Sequence, residues 1–478
     1  MVFSSLLFIF VFLPLFIFAY YLTPRAYRNI TALVGSYFFY SWGAPQVVLV
    51  LLGSSLADYL IAKRIDKANG VARYRWMAFA VLLNASLLVY YKYANFFVAE
   101  FSRILLCFGG SSVPWVEVVL PVGISFFTFQ KLSYCVDVYR RDAEPAASFV
   151  DYCLYVVLFP QLIAGPIVRY HDVAQQLRYR RETPAMFALG VQRFCLGLGK
   201  KVLIADEMGA VADGVFALPA SELSISYAWV GILAYTFQIY FDFAGYSDMA
   251  IGLGRLFGFE FLENFNRPYV SQSITEFWRR WHMSLSSWMR EYLYIPLGGN
   301  RVGKVRLYVN LWIVFLLSGF WHGAQWNFLA WGAYHGLFLV LERAFLLNVY
   351  RLLPAFVRNL LTVIAVVFGW VLFRSADLGA AVDFSLRLLG LNSPPEILAR
   401  ITWGEIIGIR QIFVVAVAAV LSFTSDSIWQ RLLALYREGS LAGNLFSFLV
   451  GLGALLLFCF SVLSLANSQF SPFLYFRF

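Results

Sequence analysis

The stretch Ser318–Phe328, SGFWHGAQWNF, lies inside a run from Leu307 to Leu341 that contains no Asp, Glu, Lys or Arg. As one continuous helix at 1.5 Å per residue, that run would measure about 52 Å, well beyond the roughly 30 Å of a bilayer's hydrocarbon core. It therefore reads as two pieces. Gly319, Gly323 and the surrounding tryptophans predict a break or a close helix approach near His322. That places an imidazole within the depth of the membrane, where an ionisable group is costly and is read as functional by default.

The rest of the chain supports a membrane setting. Its 478 residues are 61% hydrophobic and 13% charged, with a mean hydropathy of +0.70, which excludes an ordinary soluble enzyme. Apolar runs near residues 2–22, 30–62, 76–99, 113–138, 149–167, 186–206, 224–257, 307–341, 356–373, 407–424 and 444–466 predict roughly ten to twelve helices, counting splits. The fold class is an all-α polytopic integral membrane protein, organised as a single domain over residues 1–478. LPVGISFFTFQ (120–130) and LFPQLIAGPIVRY (158–170) are too interrupted by Pro and Gly for plain spans. They predict re-entrant or broken helices, tolerated only when buried in protein or lining a cavity. The first run has no cationic segment before it and meets Arg25 and Arg28 only after it ends, so it reads as a retained span with the N-terminus outside.

The net charge of +10 is carried by short loops. Lys63, Arg64, Lys67, Arg73 and Arg75 form one, Arg169, Arg178, Arg180 and Arg181 a second, and the third runs from Arg279 to Arg306. This is the positive-inside pattern of a membrane protein, and all three are expected to face the cytoplasm. The five cysteines show no metal-ligand spacing, and with only four histidines no metal site is expected.

The third loop differs from its surroundings. From Ser273 to Arg306 it reads SITEFWRRWHMSLSSWMREYLYIPLGGNRVGKVR. If Ile274 to Tyr294 is one helix, Phe277, Trp281, Leu285 and Trp288 form an apolar stripe, as in a helix lying in the cytoplasmic interface, ended by Pro296, Gly298 and Gly299. GGNRVGK (298–304) satisfies the front of a phosphate-binding loop, but Val305 stands where a Ser or Thr must reach magnesium. Nucleotide hydrolysis is not supported.

Asp242 and Asp248 interrupt an apolar run, and they read as helix caps or partners of an arginine such as Arg255 rather than a proton pair or a cation site. His335 reads as a hydrogen-bonded packing residue, His171 as a solvated loop residue, and His282 as either an interface anchor or a site residue. For His322 the alternatives are a bond to a neighbouring helix and a general base, since a neutral imidazole can take a proton from an alcohol at neutral pH. No GxSxG element accompanies it, so the nucleophile would be the acceptor's own hydroxyl.

QIYFDFAGYSDMAIGLGRLFGFEFLENFNRPY, EFWRRWHMSLSSWMREYLYIPLGGNR, SGFWHGAQWNF and the ending FSPFLYFRF together resemble the membrane-bound O-acyltransferase family in its bacterial alginate O-acetyltransferase branch. The resemblance implies a ring of helices around a thin centre, pierced by a funnel or tunnel, in the bacterial inner membrane. It implies that His322 is catalytic and that His282 occupies the family's second polar position, where it would orient a substrate or support an oxyanion. It further implies a cytoplasmic thioester donor such as acetyl-CoA, whose phosphates Arg279, Arg280, Arg290, Arg301 and Lys304 could hold. Periplasmic or membrane-anchored partners and a polysaccharide synthase complex would complete O-acetylation of a polymer such as alginate or cellulose. The alternatives are a non-catalytic transporter of polysaccharide or lipid-linked sugar, against which the missing internal repeat counts, and a scaffold for a synthase complex.

Overall fold

The computed structural model describes residues 1–392, 402–424, 428, 431, 434, 441–467, 473 and 474, so the ending FSPFLYFRF lies outside the described residues apart from Phe473 and Leu474. The described residues are helical with no strand. Among the described residues, five helices are long and apolar enough to cross a membrane: Pro45–Lys67, Gly70–Cys107, Lys304–His322, Ala355–Arg374 and Gly443–Asn467. Phe8–Leu22 and Ile409–Phe423 are shorter apolar helices. The chain packs as two compact units, residues 1–187 with 253–262 and residues 188–252 with 263–478.

In the first unit, α1 (Val48–Lys67), α2 (Gly70–Leu88), α3 (Ile124–Arg140) and α4 (Phe149–Val157) pack around a polar knot. Lys131 Nζ lies 3.1 Å from Asp58 Oδ2, and Asn84 Nδ2 donates to Asp58 Oδ1 at 2.8 Å. Both charged side chains are enclosed, so each offsets the other's charge where water cannot. Of the two interrupted segments, the second is a broken helix, whereas in the first a largely exposed, non-helical stretch leads through Gly123 into a continuous α3. Gly123, at φ 79°, turns the chain into α3, where a side chain would meet the Leu162 carbonyl oxygen. Leu158 to Val168 is buried throughout and holds only a four-residue helical turn. Its backbone is satisfied from nearby side chains: Ser36 Oγ accepts from Phe159 N at 3.1 Å, and the Tyr155 hydroxyl donates to Val168 O at 3.1 Å. Two members of the basic loops are structural. Arg73 is buried and donates to the Val138 and Tyr139 carbonyl oxygens at the end of α3, and Arg180 donates to Tyr20 and Asn29.

In the second unit, the long helix α5 (Ile225–Leu256) carries both buried carboxylates. Each is paired with cations, as expected, but the partner is not Arg255. Asp242 lies 2.7 Å from Lys201, which also holds Asp206, and Asp248 lies 2.6 Å from both Lys200 and Arg193. The 307–341 run divides where it was expected to. Helix α8 (Lys304–His322) ends at the histidine, and α9 (Trp326–Leu341) begins after Gly323, Ala324 and Gln325. The intervening helices are α6 (Ile274–Arg280) and α7 (Met283–Met289), and α10 (Ala355–Arg374) packs on α9. Helices α8 and α9 meet backbone to backbone: a methyl built on Gly319 would collide with the Phe328 carbonyl oxygen, and one on Gly332 with that of Phe315. Small residues at such a crossing are how helices approach closely where lipid offers no hydrophobic drive to pair them.

Gly332→Ala is expected to lower the thermal midpoint of the detergent-solubilised protein, with an overpacking cost of about 1–3 kcal/mol. An unchanged midpoint would mean that the crossing tolerates separation. The basic loops are tested at their exposed members. Cysteines at Arg75, Arg181 and Arg301, with Cys107 and Cys459 replaced by serine, should resist an impermeant maleimide in intact spheroplasts and react after lysis. Ready labelling at position 301 from outside would reverse the orientation.

Candidate functional site

The segment expected to form one interfacial helix does not. Helix α6 begins at Ser273, whose side chain accepts from Glu276 N, and stops at Arg280. Trp281 is extended and His282 is left-handed, with φ 44° and ψ 54°. Only then does α7 start. The stripe Phe277, Trp281, Leu285 and Trp288 is buried in protein, not laid on lipid, and the helical offset between Trp281 and His282 is lost with the helix. A left-handed conformation costs a residue with a Cβ about 1–2 kcal/mol, so something must hold it. Among the contacts that do so, the Met283 N–H donates to Asn264 O at 2.9 Å, Asn266 N donates to Arg280 O at 2.9 Å, and His282 Nδ1 lies 3.0 Å from Asn264 Oδ1. The start of α6 is fixed as firmly. The buried Glu342 carboxylate, just beyond α9, accepts from Ile274 N at 2.6 Å, Thr275 N at 2.9 Å and Thr275 Oγ1 at 2.6 Å. A carboxylate at a helix N-terminus is favoured by both the free N–H groups and the helix dipole.

Two of the four histidines are brought to one tryptophan. His322, the last residue of α8 and not a mid-span residue, lies with its ring 5.0 Å from Trp321, 5.1 Å from Trp331 and 5.3 Å from Phe373. His282 lies 6.3 Å from Trp321 and 4.6 Å from Phe243 of α5. Both are buried. Burial lowers His282, which lies outside the five spans, to about 3, so this ring is neutral at physiological pH. A neutral, enclosed imidazole can exchange protons or hydrogen bonds with a hydroxyl without first shedding a charge.

The other two histidines stand elsewhere. His335 packs edge-on to Trp278 and Trp331 at 5.1 and 5.0 Å, and no hydrogen-bond partner lies at its ring nitrogens among the described residues. The expected hydrogen bond is replaced by aromatic packing. His171 is not a solvated loop residue: it lies in the helix Tyr170–Arg178, its Nδ1 is 3.0 Å from Asp137, and that hydrogen bond holds it above its ordinary pKa.

The five basic residues divide. Arg279, Arg290, Arg301 and Lys304 are exposed. Arg290 pairs with Glu291 at 3.2 Å. Arg280 is turned inward: its Nε donates to Glu276 at 2.9 Å and its Nη1 to Asn266 O at 3.3 Å, so it serves the α6 turn before any ligand. Among the described residues no group of three or more His, Cys, Asp or Glu side chains is arranged to hold a metal. Sequence reasoning missed Asn264, Ser284 and Glu342. Only Glu342 left a signal, as the first charge after the 307–341 run.

Comparison with known proteins gives the same direction throughout. The membrane-bound O-acyltransferase family model matches residues 36–376. The chain is 41% identical to the probable alginate O-acetylase AlgI of Pseudomonas aeruginosa over the whole of both chains. It is 37% identical to the peptidoglycan O-acetyltransferase of Helicobacter pylori over 82% of this chain and 80% of that one. It is 31% identical to the teichoic acid D-alanyltransferase of Streptococcus thermophilus over 47% of this chain and 57% of the other.

The left-handed position predicts a ranking at 282. Asn tolerates that backbone and still hydrogen-bonds. His282→Asn should therefore retain most acyl transfer at matched expression, His282→Ala less, and His282→Tyr least. Tyr above Asn would mean that this residue anchors the protein in the membrane and takes no part in the reaction.

Proposed function

The chain belongs to the membrane-bound O-acyltransferase family and is an acyltransferase; on that premise we propose that it moves acetyl from a cytoplasmic thioester, of the acetyl-CoA class, to a hydroxyl acceptor. The transfer serves O-acetylation of a secreted polysaccharide, directly or through a periplasmic partner, from the bacterial inner membrane. The observation that carries this reading is the pair of buried histidines, His322 and His282, whose rings lie 5.0 and 6.3 Å from that of Trp321. The names of the full-length relatives, an alginate O-acetylase among them, support the polysaccharide acceptor. The transporter and scaffold alternatives are set aside, since the chain is an acyltransferase.

In the proposed reaction the His322 imidazole accepts the hydroxyl proton as the alcohol oxygen attacks the thioester carbonyl carbon. The C–S bond breaks, and the imidazolium returns its proton to the thiolate, so that ester and free thiol leave and the histidine ends neutral. His282 hydrogen-bonds a reacting group. Arg279, Arg290, Arg301 and Lys304, all exposed, are the residues offered to the donor's phosphates.

His322→Ala is expected to reduce acetylation of the secreted polymer by about 10²- to 10⁴-fold, the usual contribution of a general base, at unchanged protein level. Polymer acetyl content near that of the wild type would remove His322 from the chemistry.

A further inference from the structure

We infer that Asn264 is a positioning residue that fixes the tautomer of His282, keeping the proton on Nδ1 and leaving Nε2 as a hydrogen-bond acceptor. The argument starts from an unambiguous donor. The Ser284 backbone N–H can only donate, and the Asn264 side-chain atom 3.3 Å away is its Oδ1. Turning the amide over would set an NH₂ against that N–H, whereas Ser247 Oγ, 3.0 Å from Asn264 Nδ2, suits either orientation because a hydroxyl both donates and accepts. The same Oδ1 takes the Ser284 hydroxyl hydrogen at 2.8 Å; that hydroxyl is 3.4 Å from His282 Nδ1, the poorer partner. The remaining neighbour of Oδ1 is His282 Nδ1 at 3.0 Å. Two lone pairs at that distance repel, so Nδ1 carries the hydrogen. All three side chains, Asn264, His282 and Ser284, are buried, and no solvent is at hand to rearrange them.

The tautomer constrains the chemistry. A neutral ring protonated on Nδ1 can accept a hydrogen bond from a hydroxyl at Nε2, but it cannot donate from that atom to a thioester carbonyl or an oxyanion. His282 therefore holds the acceptor's hydroxyl and is not an oxyanion donor. This deepens the proposed reaction and rests on it for the identity of the hydroxyl, while the tautomer itself rests on hydrogen bonding alone. The elements packed around His282 also carry Asp242 and Asp248 on α5, Arg280 on α6 and His322 on α8. Asp242 is held by Lys201, Asp248 by Lys200 and Arg193, and Arg280 by Glu276. A carboxylate placed at 264 is thus the new charge beside the ring.

The test reads the tautomer and the rate separately. Nitrogen NMR of the full-length protein carrying ¹⁵N-histidine, with the His282 signals assigned by their loss in His282→Asn, should show a protonated Nδ1 and an unprotonated Nε2 in the wild type. Asn264→Leu should lose that preference and at least about tenfold in kcat, with KM changed less than about threefold. Asn264→Asp can still accept from Nδ1, so it should keep the tautomer and recover transfer relative to Leu. A protonated Nε2 in the wild type overturns the inference, as does an Asn264→Asp variant that transfers no better than Asn264→Leu. An unchanged tautomer in Asn264→Leu beside lost transfer in His282→Leu overturns the role of Asn264 alone. Wild-type transfer in His282→Leu overturns instead the reading that this histidine serves the reaction.

Discussion

The backbone-to-backbone crossing of α8 and α9 at Gly319 and Gly332 determines where the aromatic rings of the site can stand. Because neither helix carries a side chain at the crossing, Trp331 of α9 comes within 5.1 Å of His322 at the end of α8. Trp278 of α6 then fills the space against Phe315, Trp331 and His335 at 5.5, 5.4 and 5.1 Å. Edge-to-face pairs of this kind contribute about 0.5–1.5 kcal/mol each beyond the area they bury. Their larger effect is geometric, since a ring held edge-on by several neighbours has one orientation. His322 is surrounded by such rings.

The polar interior follows a second rule: several of its buried carboxylates are paired with cations. Asp58 with Lys131, Asp242 with Lys201, and Asp248 with Lys200 and Arg193 are pairs or triads enclosed by protein. Burying such a pair gains little net stability, because removing both ions from water costs about what their attraction returns. Losing one partner is the expensive event. These pairs therefore fix which helices lie side by side more than how tightly they hold, and they account for carboxylates in an apolar run without proton transport.

Much of this was legible in the sequence. A charge-free run longer than a bilayer had to break, and Gly323 marked where. Pro and Gly inside 158–170 marked a broken helix, where Ser36 and Tyr155 bond the buried backbone, whereas those inside 120–130 marked only the start of α3. The aspartates announced their need for cations, although Lys200, Lys201 and Arg193 lie some forty to fifty-five positions away, beyond any local pattern. The interruption at His282 was not legible. Apolar residues at 277, 281, 285 and 288 keep helical spacing straight through it, and a left-handed residue other than glycine leaves no mark in composition. What breaks the helix is a hydrogen-bonding side chain eighteen residues earlier. The same blindness hid the loss of Arg73, Arg180 and Arg280 to interior bonds, because charge alone does not say which way a long side chain turns.

The carboxylate of Glu342 gives α9 a mechanical part. One end of that helix region holds the start of α6, and through α6 the turn at His282; the middle of the helix, through Trp331, bears on His322. Both histidines are thus hung from a single rigid rod. A bilayer that thickens or thins tilts its helices as bodies, and a tilt of α9 carries the two imidazoles along together. Their relative placement is therefore set by contacts within the protein, through Glu342 for one and Trp331 for the other, and a change in bilayer thickness reaches both by way of the same helix.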